Sequence, residues 1–195
     1  MKKITAILTI SLLISNVYTE NATFSAIGFG GGFSSHNTFR GELYLRSDLR
    51  LFNRNSKVKA GINNHSYQLA FDKVPNLEAS SIGLFGDIAI YPFDKGLFAG
   101  IRWEMLNINW LSRESRNRVE EERGHRPVIY TGTSIFFQVG YNVRISDRLG
   151  LKLYLQPGFQ QFRILSPPGN PNQVIENHVR FIYNVNLSLE VRLQQ

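Results

Sequence analysis

The chain contains no cysteine. That absence excludes disulfides, a thiolate metal site and an acyl anchor carried on a cysteine thiol. Long apolar runs are missing too: beyond the amino terminus, polar or charged residues or glycines interrupt every hydrophobic stretch within a few residues. A helix needs about 20 consecutive apolar residues to cross a bilayer, so none is expected to do so. Histidine is sparse, and His36, His65, His125 and His178 are too dispersed to form a recognisable metal site. Lys and Arg number 22 against 15 for Asp and Glu, a formal charge of +7. Two of the lysines are Lys2 and Lys3, many other cations alternate with acids, and no basic stripe is interleaved with aromatics. A nucleic-acid partner is therefore not expected. No internal repeat of about 20–50 residues occurs, which sets aside solenoids and propellers.

What the chain does have is alternation. From Asn177 to Leu193 the odd positions after the first are apolar: Val179, Phe181, Tyr183, Val185, Leu187, Leu189, Val191 and Leu193. The even positions are polar apart from Ile182. Side chains on a strand point alternately to its two faces, so this is one long strand with an oily face and a charged one. A helix would scatter both classes around its circumference.

At the other end, Met1 to about Thr19 has the make-up of a secretory signal peptide. Lys2 and Lys3 precede the apolar core Ile4–Ile14, and polar Ser15 and Asn16 follow. Residues 20–195 then form a single domain, the barrel domain developed below.

Seven further strands precede the last. Ala22–Phe33 is Gly-rich and aromatic; no helix pattern follows its glycines, so they are assigned to close backbone approach or a bend rather than to phosphate binding. Arg40–Leu51 sets Leu43, Leu45, Leu49 and Leu51 against Glu42, Tyr44, Arg46, Asp48 and Arg50. Phe52–Lys57 is a polar turn. Val58–Phe71 changes apolar parity, which a bulge near Asn63 and Asn64 would explain. Asp72–Glu78, with Pro75, is expected as a loop. Ala79–Tyr91 places Ile82, Leu84, Ile88 and Ile90 opposite Asp87, and Pro92–Gly96 is a tight turn. Leu97–Leu111 carries Leu97, Ala99, Ile101, Trp103 and Met105 on its oily face against Arg102 and Glu104, then shifts parity to Leu106, Ile108 and Trp110. Ser112–Val128, dense in charge of both signs, is expected as a solvated loop. Tyr130–Ile145, the turn Ser146–Leu149, Gly150–Ile164 and the Pro-rich loop Leu165–Glu176 complete the chain.

The expected fold is thus all-β: an eight-stranded antiparallel up-and-down barrel. Its last four strands run about 14–17 residues, where about 10, tilted, cross a bilayer. Short second, fourth and sixth connections against longer loops at the opposite end favour a transmembrane barrel. In that orientation Leu43, Leu45, Ile88, Ile101, Val139, Leu153, Val185, Leu187 and Leu189 face lipid. Arg46, Asp48, Arg50, Asp87, Arg102, Glu104, Arg144, Lys152, Arg180, Glu190 and Arg192 converge in the lumen. Eight strands leave an interior that side chains fill, so those charges must neutralise one another. Trp103, Trp110, Tyr91, Tyr141 and Tyr183 are candidates for an interfacial belt. A soluble barrel with the oily face inward would satisfy the same alternation.

This pattern resembles the small outer-membrane β-barrel proteins, the eight-stranded OmpA/OmpX/OmpW-like group, over about Ala22 to Gln195. Such chains commonly finish on an aromatic residue, whereas this one finishes Val191-Arg192-Leu193-Gln194-Gln195. The resemblance implies a monomer in the outer membrane of a diderm bacterium, with extracellular loops and periplasmic termini. It implies contact with outer-membrane lipid and lipopolysaccharide and with the barrel-assembly machinery during biogenesis, and no cofactor. Some barrels of this kind act on lipid A acyl chains with a His, a Ser and an acid. Here His65 and Ser66 are adjacent and so point to opposite faces, and His178 near Glu176 reads as a rim residue. The expected function is therefore structural or surface-interaction, without catalysis. A lipid A acyl hydrolase or transferase, a narrow channel and a soluble secreted ligand-binding barrel stand as alternatives.

Overall fold

The computed structural model describes residues 24–35, 38–51, 54–71, 74–93, 96–123, 128–165 and 174–193. The expected leader Met1–Thr19, together with His36 and His125, lies outside the described residues. The strands are β1 (Ala26–Ser34), β2 (Phe39–Leu51), β3 (Arg54–Phe71), β4 (Val74–Tyr91), β5 (Leu97–Leu111), β6 (Val128–Arg144), β7 (Leu149–Leu165) and β8 (Val174–Arg192). Each pairs antiparallel with its neighbour in sequence, and β8 pairs with β1, so the sheet closes into an eight-stranded up-and-down barrel. Phe29 shows the closure locally: it is in register with Leu43 on one side and Leu189 on the other. No edge strand remains to be protected.

The two faces of this sheet are the reverse of a soluble protein's. Arg102, Glu104, Asp87 and Lys152 point inward and are fully buried, whereas Leu187 is 51% and Phe137 59% exposed on the outside. Alternation along each strand produces the separation, and the closed ladder turns every polar face to the same lumen. Gly28 serves that filling directly. The Tyr44 ring lies where its Cβ would be. Gly96, at φ 65° in the turn before β5, takes a backbone conformation that L side chains rarely adopt.

Four sequence expectations change, besides the loop Leu165–Glu176, whose last residues already belong to β8 and pair with β7. Asp72–Glu78 is not a loop: β3 runs to Phe71 and β4 begins at Val74, with Leu69 in register with Leu77. The ladder slips just there, where Asn76 adopts φ 56°, a left-handed conformation that asparagine tolerates better than most residues. Phe52–Lys57 is likewise shorter than expected, because Asn55 and Lys57 already pair with Arg50 and Asp48. The proposed bulge at Asn63 and Asn64 is absent, and β3 keeps one parity from Lys59 through Asn63 and His65 to Tyr67, all buried. Its outward residues simply change from apolar (Ala60, Ile62) to polar (Asn64, Ser66, Gln68) towards the loop end, and all of them are exposed. By contrast, the parity change after Met105 coincides with a slip in the β4–β5 ladder between Ile82 and Leu84.

The fourth change is in Ser112–Val128, which contains helix α1 (Arg113–Arg123). Ser112 caps it, its hydroxyl accepting from the Ser115 amide at 3.2 Å, and Glu114 sits in the first turn, where a negative charge is favourable. Ser115 in turn accepts from the Glu78 amide at 2.7 Å, and Val119 is buried, so α1 docks on the loop end of β4. With a single buried apolar residue, most of its stability comes from the cap and from arginines and glutamates spaced for i,i+4 contact. Ser112→Ala is expected to cost α1 about 1 kcal/mol. Amide hydrogen exchange over residues 113–120 should speed up several-fold, with exchange in the barrel strands unchanged.

Candidate functional site

The buried polar lumen is the part of the molecule with chemical potential. Near mid-height, Glu104 on β5 is shared by three cationic or potentially cationic groups. Arg40 is bonded to Oε1, Arg102 Nε donates to the same oxygen at 2.9 Å, and His65 Nε2 lies 3.3 Å from Oε2. Arg102 also reaches across the barrel to Glu42 at 2.5 Å, and the Tyr154 hydroxyl donates to the other Glu42 oxygen at 2.5 Å. The Arg102 guanidinium stacks on the Phe85 ring with 3.5 Å to the centroid, and Arg40 lies 5.7 Å from the Phe136 centroid.

Towards the turn end, Lys59 Nζ sits 3.4 Å from Asp87 and between the Tyr44 and Tyr154 rings. Glu190 gathers Arg46, Lys152 at 2.6 Å and the Tyr44 hydroxyl at 3.0 Å. Below lies a cluster of Ala89, Tyr91, Phe98 and Tyr154. Further contacts lie towards the loop end. Tyr67 donates to Asn109 at 2.5 Å, and Arg180 donates to Gln160 at 3.1 Å with its guanidinium 5.8 Å from the Tyr67 centroid.

Of the eleven charges expected in the lumen, Arg46, Asp87, Arg102, Glu104, Lys152 and Glu190 are buried inside it. Arg180 and Arg192 are half-buried on the inner face towards its two ends. Asp48 is half exposed and pairs with Arg46 at 3.1 Å. Arg50 and Arg144 lie outside the network: both are exposed, and Arg144 pairs with Asp147 of the adjoining turn. These two sit at strand ends, beyond the closed wall, where alternation no longer separates lumen from solvent. All nine residues expected on the lipid side lie on the outer face, Ile88 and Leu189 half-buried there and the others exposed. Of the expected belt, Trp103, Trp110, Tyr141 and Tyr183 face outward, while Tyr91 is inside, stacked on Phe98 with centroids 5.5 Å apart.

Sequence reasoning did not assign Arg40, Glu42, Lys59 and His65 to the network. Glu42 has the polar parity of β2, and register would have supplied the rest: Arg40 is opposite His65, and Lys59 is opposite both Arg46 and Asp87. His65 and Ser66 do face opposite ways, one buried and one exposed. On the inner face His65 meets Glu104 and is in register with Ser81, the residue types of a hydrolase. All three are buried, His65 being the most exposed of them. The side chain of His178 lies outside the described residues, and its backbone pairs with Phe162. Among the described residues no group of His, Cys, Asp or Glu has metal-binding geometry.

Removing one member of a buried ion cluster leaves its partners charged and unpaired, at about 3–5 kcal/mol. Glu104→Gln should lower the unfolding free energy by that amount, measured by urea titration of the chain folded in lipid vesicles. Arg144→Gln, which breaks only an exposed pair, should cost less than about 1 kcal/mol.

No protein family matches the chain, and no curated protein matches it. Among solved structures it is similar to the outer membrane protein OprG from Pseudomonas aeruginosa. The TM-score is 0.45 and the sequence identity 9%, over 87% of this chain and 97% of that one.

Proposed function

We propose that this chain is an integral outer-membrane β-barrel, monomeric, with a lumen occluded by its own side chains, acting as a structural or surface-interaction protein without catalysis. One observation carries the proposal: the charged residues are inside and the greasy ones outside. The described residues expose 32 large apolar side chains. Left in water, partly exposed side chains of this size forfeit on the order of 1 kcal/mol each. Hydrocarbon around the barrel removes that cost, and contiguous apolar surface of this extent is rare on soluble monomers.

The apolar band has edges at both ends. Asn64, Ser66 and Gln68 on β3, with Asn76 and Glu78 on β4, mark one edge. Arg50, Arg54, Arg144, Asp147 and Arg148 mark the other. The second edge adjoins the short turns and also carries both described chain ends, where the Leu193 amide donates to the Ser25 carbonyl. Bacterial barrels of this class keep short turns on the periplasmic side, so α1 and the longer connections face outward, towards lipopolysaccharide. An enzyme acting on lipid A is disfavoured because the only His–acid pair among the described residues is walled into the lumen. A channel is disfavoured because the mid-barrel side chains are fully buried.

Expression followed by fractionation tests the proposal. The mature chain should sediment with outer membranes, dissolve only in detergent, and migrate differently on a denaturing gel before and after boiling. Leu187→Arg puts a charge in the band at about 2–4 kcal/mol and should deplete the heat-modifiable form, while Ser66→Arg should not. A freely soluble, detergent-free monomer would contradict the proposal.

A further inference from the structure

Among the described residues the barrel is closed at mid-height but open at its turn end, where a cup of about 850 Å³ is lined in part by Tyr91. Four cations line it, Arg46, Lys57, Arg144 and Arg192, against one carboxylate, Asp48. Two of the four are already neutralised: Arg46 by Asp48 and by Glu190 beneath it, and Arg144 by Asp147 of the neighbouring turn. Lys57 and Arg192 have no ion pair of that kind. Among the described residues no carboxylate lies within ion-pair distance of either, and the Lys57 ammonium rests on the Tyr91 ring, 4.4 Å from its centroid. The Asn142 side chain adds a neutral hydrogen-bonding group to the same wall. Cations without an ion pair of their own, gathered in a partly desolvated cup, attract a doubly charged anion more strongly than the same cations on open surface.

We infer that this cup is a binding site for a phosphate-bearing small molecule, held by Lys57 and Arg192 with Arg144 at the rim. Lysine offers a point charge and arginine a planar fork suited to two phosphate oxygens. The floor of aromatic side chains stops the ligand from passing further, so the site retains and does not transport. The inference does not depend on the membrane: a water-soluble barrel with the same cup would bind the same anion, so failure here leaves the proposed location untouched.

The test is isothermal titration of the full folded chain in a maltoside detergent, which itself carries no phosphate, with inorganic pyrophosphate at constant ionic strength. One saturable site is expected. Lys57→Gln and Arg192→Gln should each weaken it at least tenfold, and Lys57→Arg should retain it. Arg180→Gln, at the opposite mouth, should leave it unchanged. Each variant is first checked for heat-modifiable migration, and Lys57→Arg keeps the test decisive if a glutamine variant does not fold. Repeating the titration in micelles doped with phosphatidylglycerol separates two sources of the phosphate. Loss of pyrophosphate binding there assigns the site to a lipid headgroup, and unchanged binding assigns it to a free solute. No saturable heat, or equal affinity in Lys57→Gln and Arg192→Gln, would overturn the inference.

Discussion

A charge shut away from water must be neutralised by its neighbours, and the whole barrel is arranged around meeting that condition. Glu104 and Glu190 are the two points where it is met most densely, each touched by three polar or cationic side chains. The contacts run across the lumen as well as along the wall. Arg102 on β5 reaches Glu42 on β2, Arg40 on β2 reaches Glu104 on β5, and Tyr154 on β7 reaches Glu42. Strands that never share a ladder are thereby tied together, the task that an apolar core performs in a soluble protein. Aromatic rings fill the space between the ions, with Phe85 beneath Arg102 and Tyr44 and Tyr154 flanking Lys59.

Ionic filling is not the route to greatest stability, since a well-packed apolar replacement of a buried ion set is often as stable or more so. Its advantage here lies in the contrast between faces. With an oily exterior and an oily interior, a strand could slip one residue and lose little. With Arg102 and Glu104 flanking Trp103, a slip of one residue turns two charges into the apolar band and takes them from their partners. The polar lumen therefore fixes register and tells the barrel which face is out. The turn-end cup carries four cations against one carboxylate, where water already reaches.

Much of this architecture was legible in alternation alone. From His178 onward β8 declares its two faces without exception beyond Ile182, and that residue is buried because it fills the lumen. The parity change in β5 marked a true slip in the ladder. What misled was β3, whose loop-end half stands beyond the apolar band. There the outer positions become polar while Tyr67 fills the interior, so the pattern inverts with no change in backbone. Reading that inversion as a bulge would turn His65, with Tyr67, to the outer face, whereas Lys59 keeps the polar parity opposite Val58, Ala60 and Ile62. Helix α1 escaped for a different reason: with Val119 as its buried apolar contact, it has no hydrophobic stripe to read, and its signals are the Ser112 cap and charge spacing. Partners within the lumen are set by register across the closed sheet, which no single strand reveals.

The claim that matters most is that the outer surface lies in hydrocarbon. Because the chain has no cysteine, single nitroxide labels can be placed at will. Labels at Val185→Cys, inside the band, and Ser66→Cys, outside it, both sit on exposed outward positions that leave the lumen intact. In reconstituted bilayers the account predicts frequent collisions with oxygen and few with an aqueous nickel chelate at 185, and the reverse at 66. Nickel accessibility at 185 equal to that at 66 would contradict it.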